Sequence, residues 1–447
     1  MHNERDGKTI AAIATSQGDG GIAIVRISGN DALEILKKVF YPKKANKKSF
    51  EHSRMMYGLI KGPSGEIIDE AMAVYFKAPH SYTREDVSEI QMHGGRMSAE
   101  AALDALFHFG ACPAEPGEFT RRAFFNGRID LSEAEAVMGI IGARSQAARR
   151  ASVRQLRGGV SSRIGRAREE LLSLLALISA STDFPDEIDE PACARDVYMR
   201  AGKVRDELIY ASDDRHARLV REGASVVLIG RPNVGKSSIL NALLKNDRAI
   251  VTEIPGTTRD VLTESIDIGG VRLSLSDTAG IRETMDPVEK IGVSRAKSAT
   301  EEADAVILVI DHSAPLTDED RALLAGADER YIIALNKSDI ACKAEIEGIS
   351  VSARTGEGIS SLMEEIKKRA LVMGQDEDRM TFPRHIECAK MAISALERAM
   401  TGIENMVPLD FAAGDLREAL DALGDITGET MNEMVIDRVF SDFCVGK

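Results

Sequence analysis

The segment Gly230-Arg-Pro-Asn-Val-Gly-Lys-Ser-Ser238 limits the fold more than any other part of this 447-residue chain. It fits G-x-x-x-x-G-K-[ST], a loop whose glycines let backbone N–H groups turn inward around phosphate oxygens. The loop needs a strand before it and a helix after it, because the helix N-terminus adds its positive end to the anion site. Both flanks are present. Ser225-Val-Val-Leu-Ile229 is an apolar run of strand length, and Ser238-Ile-Leu-Asn-Ala-Leu-Leu244 has helical spacing. Lys236 then supplies a point charge for the β- and γ-phosphates, and the Ser237 hydroxyl is placed for Mg²⁺. From about 223 to 373 strand and helix patterns alternate, as a doubly wound sheet requires. The expected strands after the loop are Leu262–Ile268, Val271–Ser276, Ala305–Ile310, Tyr331–Leu335 and Gly348–Val351.

Further segments follow in the order a guanine-nucleotide site needs. Gly256-Thr-Thr-Arg-Asp260 supplies switch threonines, Thr257 and Thr258, to close on Mg²⁺ and the γ-phosphate. Asp277-Thr278-Ala279-Gly280 follows an apolar strand; the Asp carboxylate holds Mg²⁺ through water and the Gly280 amide senses the γ-phosphate. Asn336-Lys337-Ser338-Asp339 follows Tyr331–Leu335. The Asp339 carboxylate accepts from guanine N1–H and N2–H₂. Adenine lacks those donors, and a buried unpaired carboxylate is costly, so the pattern selects GTP. Ser352-Ala353-Arg354 supports the base from the next loop. Each segment alone is common by chance; the ordered set at strand ends is not. One part is missing. Ras-like enzymes follow the switch glycine with a Gln that orients the attacking water, and here the residue is Ile281. Either hydrolysis is slow without a partner, or another group serves; Glu283, Asp286 and Glu289 are the nearby acids.

The flanks read differently. Residues 1–125 form an α/β unit, with strands Thr9–Thr15 and Ile22–Ser28, a helix through Phe40, a hairpin of Met55–Lys61 and Ile67–Lys77, a strand Val87–His93 and a helix to Phe109. Residues 126–220 are helical, with Leu131 to Leu156 and Ile164 to Ser179 at 3- and 4-residue apolar spacing. The nucleotide segment occupies 221–374, and 375–447 is helical again. One helical domain interrupted by an insert explains this order economically. Five scattered cysteines without metal spacing fit a reducing, cytoplasmic setting. The N-terminus lacks the pattern of a signal peptide, and no apolar run reaches the roughly 20 residues of a membrane span. A net charge of −14 argues against general nucleic-acid coating but leaves room for a local basic site. Eight arginines and no acids lie between Arg144 and Arg168. They read as a solvated helix face or as an RNA-facing stripe.

Several spellings carry a family resemblance: Gly21-Ile-Ala-Ile-Val-Arg-Ile-Ser-Gly29, Ser81-Tyr-Thr-Arg-Glu-Asp86, Gly117-Glu-Phe-Thr-Arg-Arg-Ala-Phe124, Asn126-Gly-Arg-Ile-Asp-Leu131 and Phe443-Cys-Val-Gly-Lys447. With the nucleotide segments they resemble the MnmE (TrmE) family of tRNA-modification GTPases over essentially the whole chain. The resemblance implies a multidomain α/β plus α protein: a tetrahydrofolate-binding-like dimerisation domain, a helical domain and an inserted Ras-like G domain. It implies a homodimer that works with the FAD protein MnmG. Together they add a (carboxymethyl)aminomethyl group to C5 of the wobble uridine of certain tRNAs.

The resemblance also assigns residues. Arg26, Glu89, Arg128 and Lys447 match contacts of a 5-formyl- or methylene-tetrahydrofolate ligand; the third of these is usually Lys, so its geometry does not transfer automatically. GTP contacts extend over Asn233, Val234, Gly235, Lys236, Ser237 and Ser238, and over Thr252, Glu253, Ile254, Pro255, Gly256, Thr257 and Thr258. Mg²⁺ falls to Ser237 and Thr258. K⁺ falls to Asn233, Thr252, Ile254 and Thr257, and its charge can replace a missing arginine finger. Glu289 matches the acid that orients the attacking water, and Cys444 matches a terminal cysteine that is a candidate for the modification site. Two other readings compete. A ribosome-assembly GTPase would carry a KH-like or second G domain, and no Gly-x-x-Gly loop in such a context or second P-loop is found. A folate-dependent transferase with a degenerate G domain conflicts with intact nucleotide segments.

Overall fold

The computed structural model describes residues 7–16, 18, 20–43, 50–246, 263–268, 271–277, 300, 303–340, 345–371 and 379–446. In chain order the first elements are β1 (Ile10–Ile13), β2 (Ile22–Ser28), α1 (Ala32–Val39), β3 (Phe40–Pro42), β4 (Met56–Lys61), β5 (Ile67–Phe76) and β6 (Val87–His93). Then come α2 (Arg96–His108), β7 (Cys112–Pro113), α3 (Glu118–Phe125), α4 (Leu131–Ile141), α5 (Gln146–Leu156), α6 (Gly159–Asp183), α7 (Glu190–Ala211) and α8 (Asp214–Glu222). The nucleotide segment supplies β8 (Ala224–Ile229), α9 (Lys236–Asn246), β9 (Thr263–Ile268), β10 (Val271–Asp277), β11 (Ala305–Asp311), α10 (Asp318–Ala325), β12 (Tyr331–Asn336), β13 (Ile349–Ser350) and α11 (Ile359–Leu371). The chain ends with α12 (Pro383–Glu404), α13 (Leu409–Thr427) and α14 (Glu433–Ser441). The packing divides it into two compact units: Met1–Met138 with Leu156–Glu169 and Leu420–Lys447, and Gly139–Gln155 with Glu170–Ala419.

The first unit is built on a seven-stranded sheet of order β3-β4-β5-β6-β2-β1-β7. Its pairs are antiparallel except β1 with β7. Side chains alternate faces along each strand. Val25, Ile27, Ile60 and Ile90 therefore join Leu36 and Leu106 of the covering helices in one core. Ile10 and Ala12 on β1 pack instead with Phe119 of α3. A further cluster joins Ala123 and Leu131 to Ile436, Phe440 and Phe443. Gly117, at φ 67°, lets the chain pass there: a Cβ would stand 2.7 Å from the Phe440 carbonyl oxygen.

Two local expectations change, and one short element was not expected. The helix expected through Phe40 stops at Val39, and Phe40 opens β3 opposite Ile60. Val39-Phe40-Tyr41 favours extended backbone, and Pro42 excludes helix at the residue before it. The long helical pattern from Leu131 to Leu156 is two helices. Ser145 starts the second, its Oγ accepting from Ala148 N at 3.0 Å, a cap that periodicity does not register. The two-residue β7, parallel to Ile10 and Ala11, is too short to leave a sequence pattern.

In the second unit α7 packs along α12. Val197, Ala201, Val204 and Leu208 form its buried stripe, against buried Ala389, Ala392, Leu396 and Ala399. The backbone entering and leaving the nucleotide segment is cross-bonded. Met380 N donates to Ala211 O at 2.8 Å, Arg221 Nη1 to Thr381 O at 2.6 Å, and Arg379 Nη1 pairs with Asp213 Oδ2 at 2.6 Å. The six-stranded sheet has the order β13-β12-β11-β8-β10-β9, parallel except for β9 with β10. Covered on both faces, β8 and β11 are continuous apolar runs rather than alternating ones. Strand β8 has β10 on one side and β11 on the other, so the strand order reverses there. A crevice opens at such a switch point beyond the carboxyl ends of the strands. Among the described residues no helix is long and apolar enough to cross a membrane.

Candidate nucleotide site and a second polar cavity

The loop after β8 lies in that crevice. Three of its residues have left-handed backbone: Gly230 (φ 141°), Asn233 (φ 65°) and Gly235 (φ 96°). Two are glycines because only glycine fits. A Cβ on Gly230 would stand 2.4 Å from Val309 O, and one on Gly235 would stand 2.2 Å from Asn336 Nδ2. Asn233 tolerates this conformation better than most residues, through its short polar side chain. Lys236 is buried and its Nζ donates to Gly230 O at 2.7 Å and Arg231 O at 2.8 Å, which fixes the ammonium over the loop. Ser237 and Ser238 are exposed at the start of α9, on the solvent side of the loop.

The base-selecting segment is bonded into the same loop. Asn336, 3% exposed, donates through Nδ2 to Val234 O at 2.7 Å and accepts at Oδ1 from Ala353 N at 3.2 Å. One side chain thus ties three loops together. Asp339 accepts at Oδ1 from the buried Ser352 hydroxyl at 2.7 Å, and Arg354 Nη1 lies 3.9 Å from Oδ2. Ser352 fixes one carboxylate oxygen, and the largely exposed Arg354 adds only a loose charge near the other. Lys337 sits at φ 67°, and its Nζ pairs with Asp311 at 2.6 Å. Burial alone would raise the Asp311 carboxyl, but its bonds to Lys337 and Ser313 outweigh that and hold it below the ordinary carboxylate value. Ser338 N donates to Val351 O at 3.1 Å, which completes the join to the Ser352 loop.

Strand β10 runs parallel to β8 with Asp277 opposite Leu228, so its last residue ends at the same edge of the sheet as the phosphate loop. Thr252, Glu253, Ile254, Pro255, Gly256, Thr257, Thr258, Thr278, Ala279, Gly280 and Glu289 lie outside the described residues, as does Lys447.

A second polar group gathers in the other unit. Arg26 and Glu89 are direct cross-strand partners on β2 and β6, and their side chains pair at 2.8 Å. The Arg26 guanidinium lies 5.3 Å from the centroid of the Tyr82 ring and 5.6 Å from that of Phe119. Arg128 lies 4.6 Å from the Tyr82 centroid. Two arginines far apart in sequence thus share one aromatic ring. Tyr82 is anchored at its hydroxyl by Thr120 Oγ1 at 3.0 Å. Beside them opens a cavity of about 440 Å³ lined by Pro79, His80, Tyr82, Arg84, Glu89 and Arg128, among others. A cavity of this volume falls within the range of small-molecule sites. Three of the four residues the resemblance assigns to folate thus come together.

The C-terminal segment docks on its own unit. Val445 bridges to Pro116, Gly117 N donates to Cys444 O at 3.3 Å, and Gly446 (φ 93°) meets the Ile13 carbonyl so closely that a Cβ would stand at 2.3 Å. Cys444 is exposed and does not line the cavity beside Tyr82.

Two family models match the chain. One, described as GTP-binding protein TrmE N-terminus, covers residues 9–128; the other, described as MnmE helical domain, covers 131–444. The chain belongs to the MnmE family. Relatives named tRNA modification GTPase MnmE align over nearly the full length of both chains. That of Natranaerobius thermophilus is 41% identical over 456 residues, covering 98% of this chain and 99% of its own. That of Finegoldia magna is 43% identical over 451 residues with the same coverage. That of Moorella thermoacetica is 43% identical over 461 residues, again at 98% and 99%.

Within this MnmE-family chain some residues of the sites were not singled out from sequence. Tyr82 stood only as part of a spelling, and nothing in a lone Tyr announces a ring shared by two arginines. Asp311 closes an apolar strand, a position that could have signalled a loop function at the sheet edge. Of the arginine-rich stretch, Arg144, Arg149, Arg150, Arg157 and Arg166 are exposed, whereas Arg168 pairs with Glu429.

Proposed function

We propose that this chain binds GTP at the Gly230–Ser238 loop and hydrolyses it to GDP and phosphate. The reading holds that it does so with the FAD protein MnmG, to add a (carboxymethyl)aminomethyl group to C5 of uridine 34 in certain tRNAs. The observation that carries the nucleotide part is the Asn336 junction. It links the phosphate loop, the Asp339 segment and the Ser352 loop, so phosphate and guanine are read by one braced surface. Family membership and the names of the full-length relatives support the tRNA part.

The donor set fits a hard divalent cation: Ser237, exposed, is the second residue of α9, and Asp277 ends β10 at the same sheet edge. Ser237 and Thr258 would hold Mg²⁺, with Asp277 one water removed. Bound there, Mg²⁺ would supply positive charge to the phosphates. Asn233, Thr252, Ile254 and Thr257 are the oxygen donors we assign to K⁺, which would supply positive charge where an arginine finger is lacking. Glu289 is assigned to orient the attacking water in place of the Gln that Ile281 displaces. Glu89 and Arg128 line the cavity beside Tyr82 and Arg26 pairs with Glu89; with Lys447 these are the residues we assign to a formyl- or methylene-tetrahydrofolate. We infer a division into residues 1–125, a helical domain from 126–220 and 375–447, and an inserted G domain over 221–374. The cross-bonds from Arg221 and Met380 support insertion. The protein acts as a homodimer through its N-terminal domain, in the cytoplasm.

The deciding experiment is GTP turnover by the purified chain in KCl and in NaCl, with Glu289→Ala alongside. K⁺-stimulated turnover that Glu289→Ala abolishes supports the assignment. Turnover indifferent to the cation removes Asn233 and the switch loop as K⁺ ligands and favours a partner-activated switch.

A further inference from the structure

The phosphate loop carries one side chain that the nucleotide motifs leave without a role. Arg231 follows Gly230, and its Nε donates to Asp320 Oδ1 at 2.8 Å. Asp320 is 1% exposed and is the third residue of α10. Its other oxygen, Oδ2, accepts from Thr317 N at 3.0 Å and Thr317 Oγ1 at 2.9 Å, in a reciprocal capping box. A buried carboxylate with both oxygens used and one cationic partner is a fixed point. We propose that the Arg231–Asp320 pair is a positioning brace for the phosphate loop: it holds the loop in its phosphate-wrapping shape and so sets nucleotide affinity, not the rate of the chemical step.

The loop needs a brace because it holds three left-handed residues within six positions, one of them not glycine. An unbraced loop pays the ordering cost when phosphate arrives, and that cost appears as lost affinity. The Asn336 bond to Val234 secures the far end of the loop, and at its root the Val309 carbonyl leaves no room for a Cβ on Gly230. Arg231 secures the outer bend between them and joins it to α10, an element that follows β11. The Arg231 carbonyl is also one of the two oxygens that receive Lys236 Nζ. Moving Arg231 therefore moves the seat of the phosphate-binding ammonium. The substrate makes no contact with Asp320 in this scheme, so the pair acts by position alone.

This inference rests on reading the loop as the GTP site, and the test separates the two. GDP and GTP affinity, with kcat and KM for GTP, are measured for the full chain and for Arg231→Met, Arg231→Lys, Asp320→Asn and the double Arg231→Met/Asp320→Asn variant. Loss of a charged hydrogen bond at such a site is expected to weaken GDP binding about 10- to 100-fold in Arg231→Met. The value of kcat at saturating GTP stays within about twofold of the parent, because only ordering is lost. Arg231→Lys recovers most of the affinity, since a single bond to Asp320 needs no planar fork. The double variant is no weaker than either single one, as two ends of one contact require. Asp320→Asn keeps an acceptor for Thr317, so α10 stays capped, and a thermal melt close to the parent's identifies the loss as one of positioning. An Arg231→Met variant that binds GDP like the parent, or that loses kcat while keeping affinity, overturns the brace and leaves the site standing. A parent chain that does not bind GDP overturns both.

Discussion

Asn336 offers the sharpest test of the site, because alanine and aspartate at this position should behave in an order that chemistry alone would not suggest. Its Nδ2 donates to Val234 O at 2.7 Å, and its Oδ1 accepts from Ala353 N at 3.2 Å. Val234 is 2% exposed, so the carbonyl left behind by Asn336→Ala finds no water, whereas Ala353 is half-buried and can be hydrated. A buried unsatisfied group costs about 1–3 kcal/mol, and the more accessible one less. Asn336→Ala should therefore cost about 2–4 kcal/mol. Some of that appears as lost folding stability and some as lost nucleotide affinity; about 2 kcal/mol in affinity is roughly a 30-fold rise in the Kd for GDP. Asn336→Asp is nearly isosteric and keeps the acceptor for Ala353. It replaces the donor to Val234 O with a carboxylate oxygen at the same 2.7 Å, so an attraction becomes a repulsion between two acceptors in a poorly hydrated site. The aspartate variant should thus bind GDP more weakly than the alanine variant and melt lower. Isothermal titration with GDP and a thermal melt of each full-length variant would decide. If Asn336→Asp equals or exceeds Asn336→Ala in both assays, the Val234 bond is not what holds these loops together.

Three other outcomes follow from the same geometry. Asp339→Asn keeps an oxygen for the Ser352 hydroxyl but turns an N–H toward the base, so GTP affinity should fall about 100-fold while xanthosine triphosphate, with a C2 carbonyl, gains; unchanged GTP preference would remove Asp339 as the base reader. Tyr82→Ala takes away the ring shared by Arg26 and Arg128, so fluorescence titration with 5-formyl-tetrahydrofolate should show at least about tenfold weaker binding with GTP turnover unaltered; equal binding would place the folate elsewhere. The carboxyls of Asp311 and Asp320 are both held below their ordinary value. For Asp320 burial pushes upward, but the bonds to Arg231 and Thr317 prevail. A depressed folded-state value means that this stabilisation is complete above the unfolded carboxylate value near 4 and is lost as pH falls through the lower folded values. Urea unfolding at pH 7, 4 and 3 should therefore show a steeper acid loss for the parent than for Arg231→Met; parallel curves would contradict the shift.

The nucleotide loop was legible from sequence because its requirements are local. Glycine at positive φ, a lysine at the helix start and an apolar strand before it all fall within about fifteen residues, and each leaves a residue type that little else demands. The antiparallel sheet of the first unit was legible in its strands, through alternation in β2 and β6, yet not in its order. The register that sets Arg26 against Glu89 comes from chain segments 63 residues apart. The folate assignment came from resemblance alone, and Arg26 and Arg128 meet over the ring of Tyr82, whose hydroxyl is bonded to Thr120. The stop at Val39 and the break before Ser145 were missed for a different reason. Apolar spacing continued through both, and backbone-level preferences, not burial, ended the helices.

The two kinds of legibility divide the work of this fold. Residues that must adopt an unusual backbone or touch a phosphate announce themselves by type, since alternatives are excluded sterically or electrostatically. Residues that hold such a loop in place do not, because any buried partner with complementary hydrogen bonding can do so from any point in the chain. Asp320 illustrates this: from sequence it is the third residue of a helix with an ordinary capping box, and only the fold brings it, 89 residues from Arg231, to the outer bend of the phosphate loop. Ser352 does the same for Asp339. Since Asp320 lies on the helix that follows β11 and Ser352 lies just after β13, the order of strands around β8 decides which supports are available. The sheet order β12-β11-β8-β10 is thus part of the binding site: it brings Asn336 and Asp277, the last residues of β12 and β10, to one edge with the helix after β11 that carries Asp320, where a loop chosen by local chemistry can be held ready for its ligand.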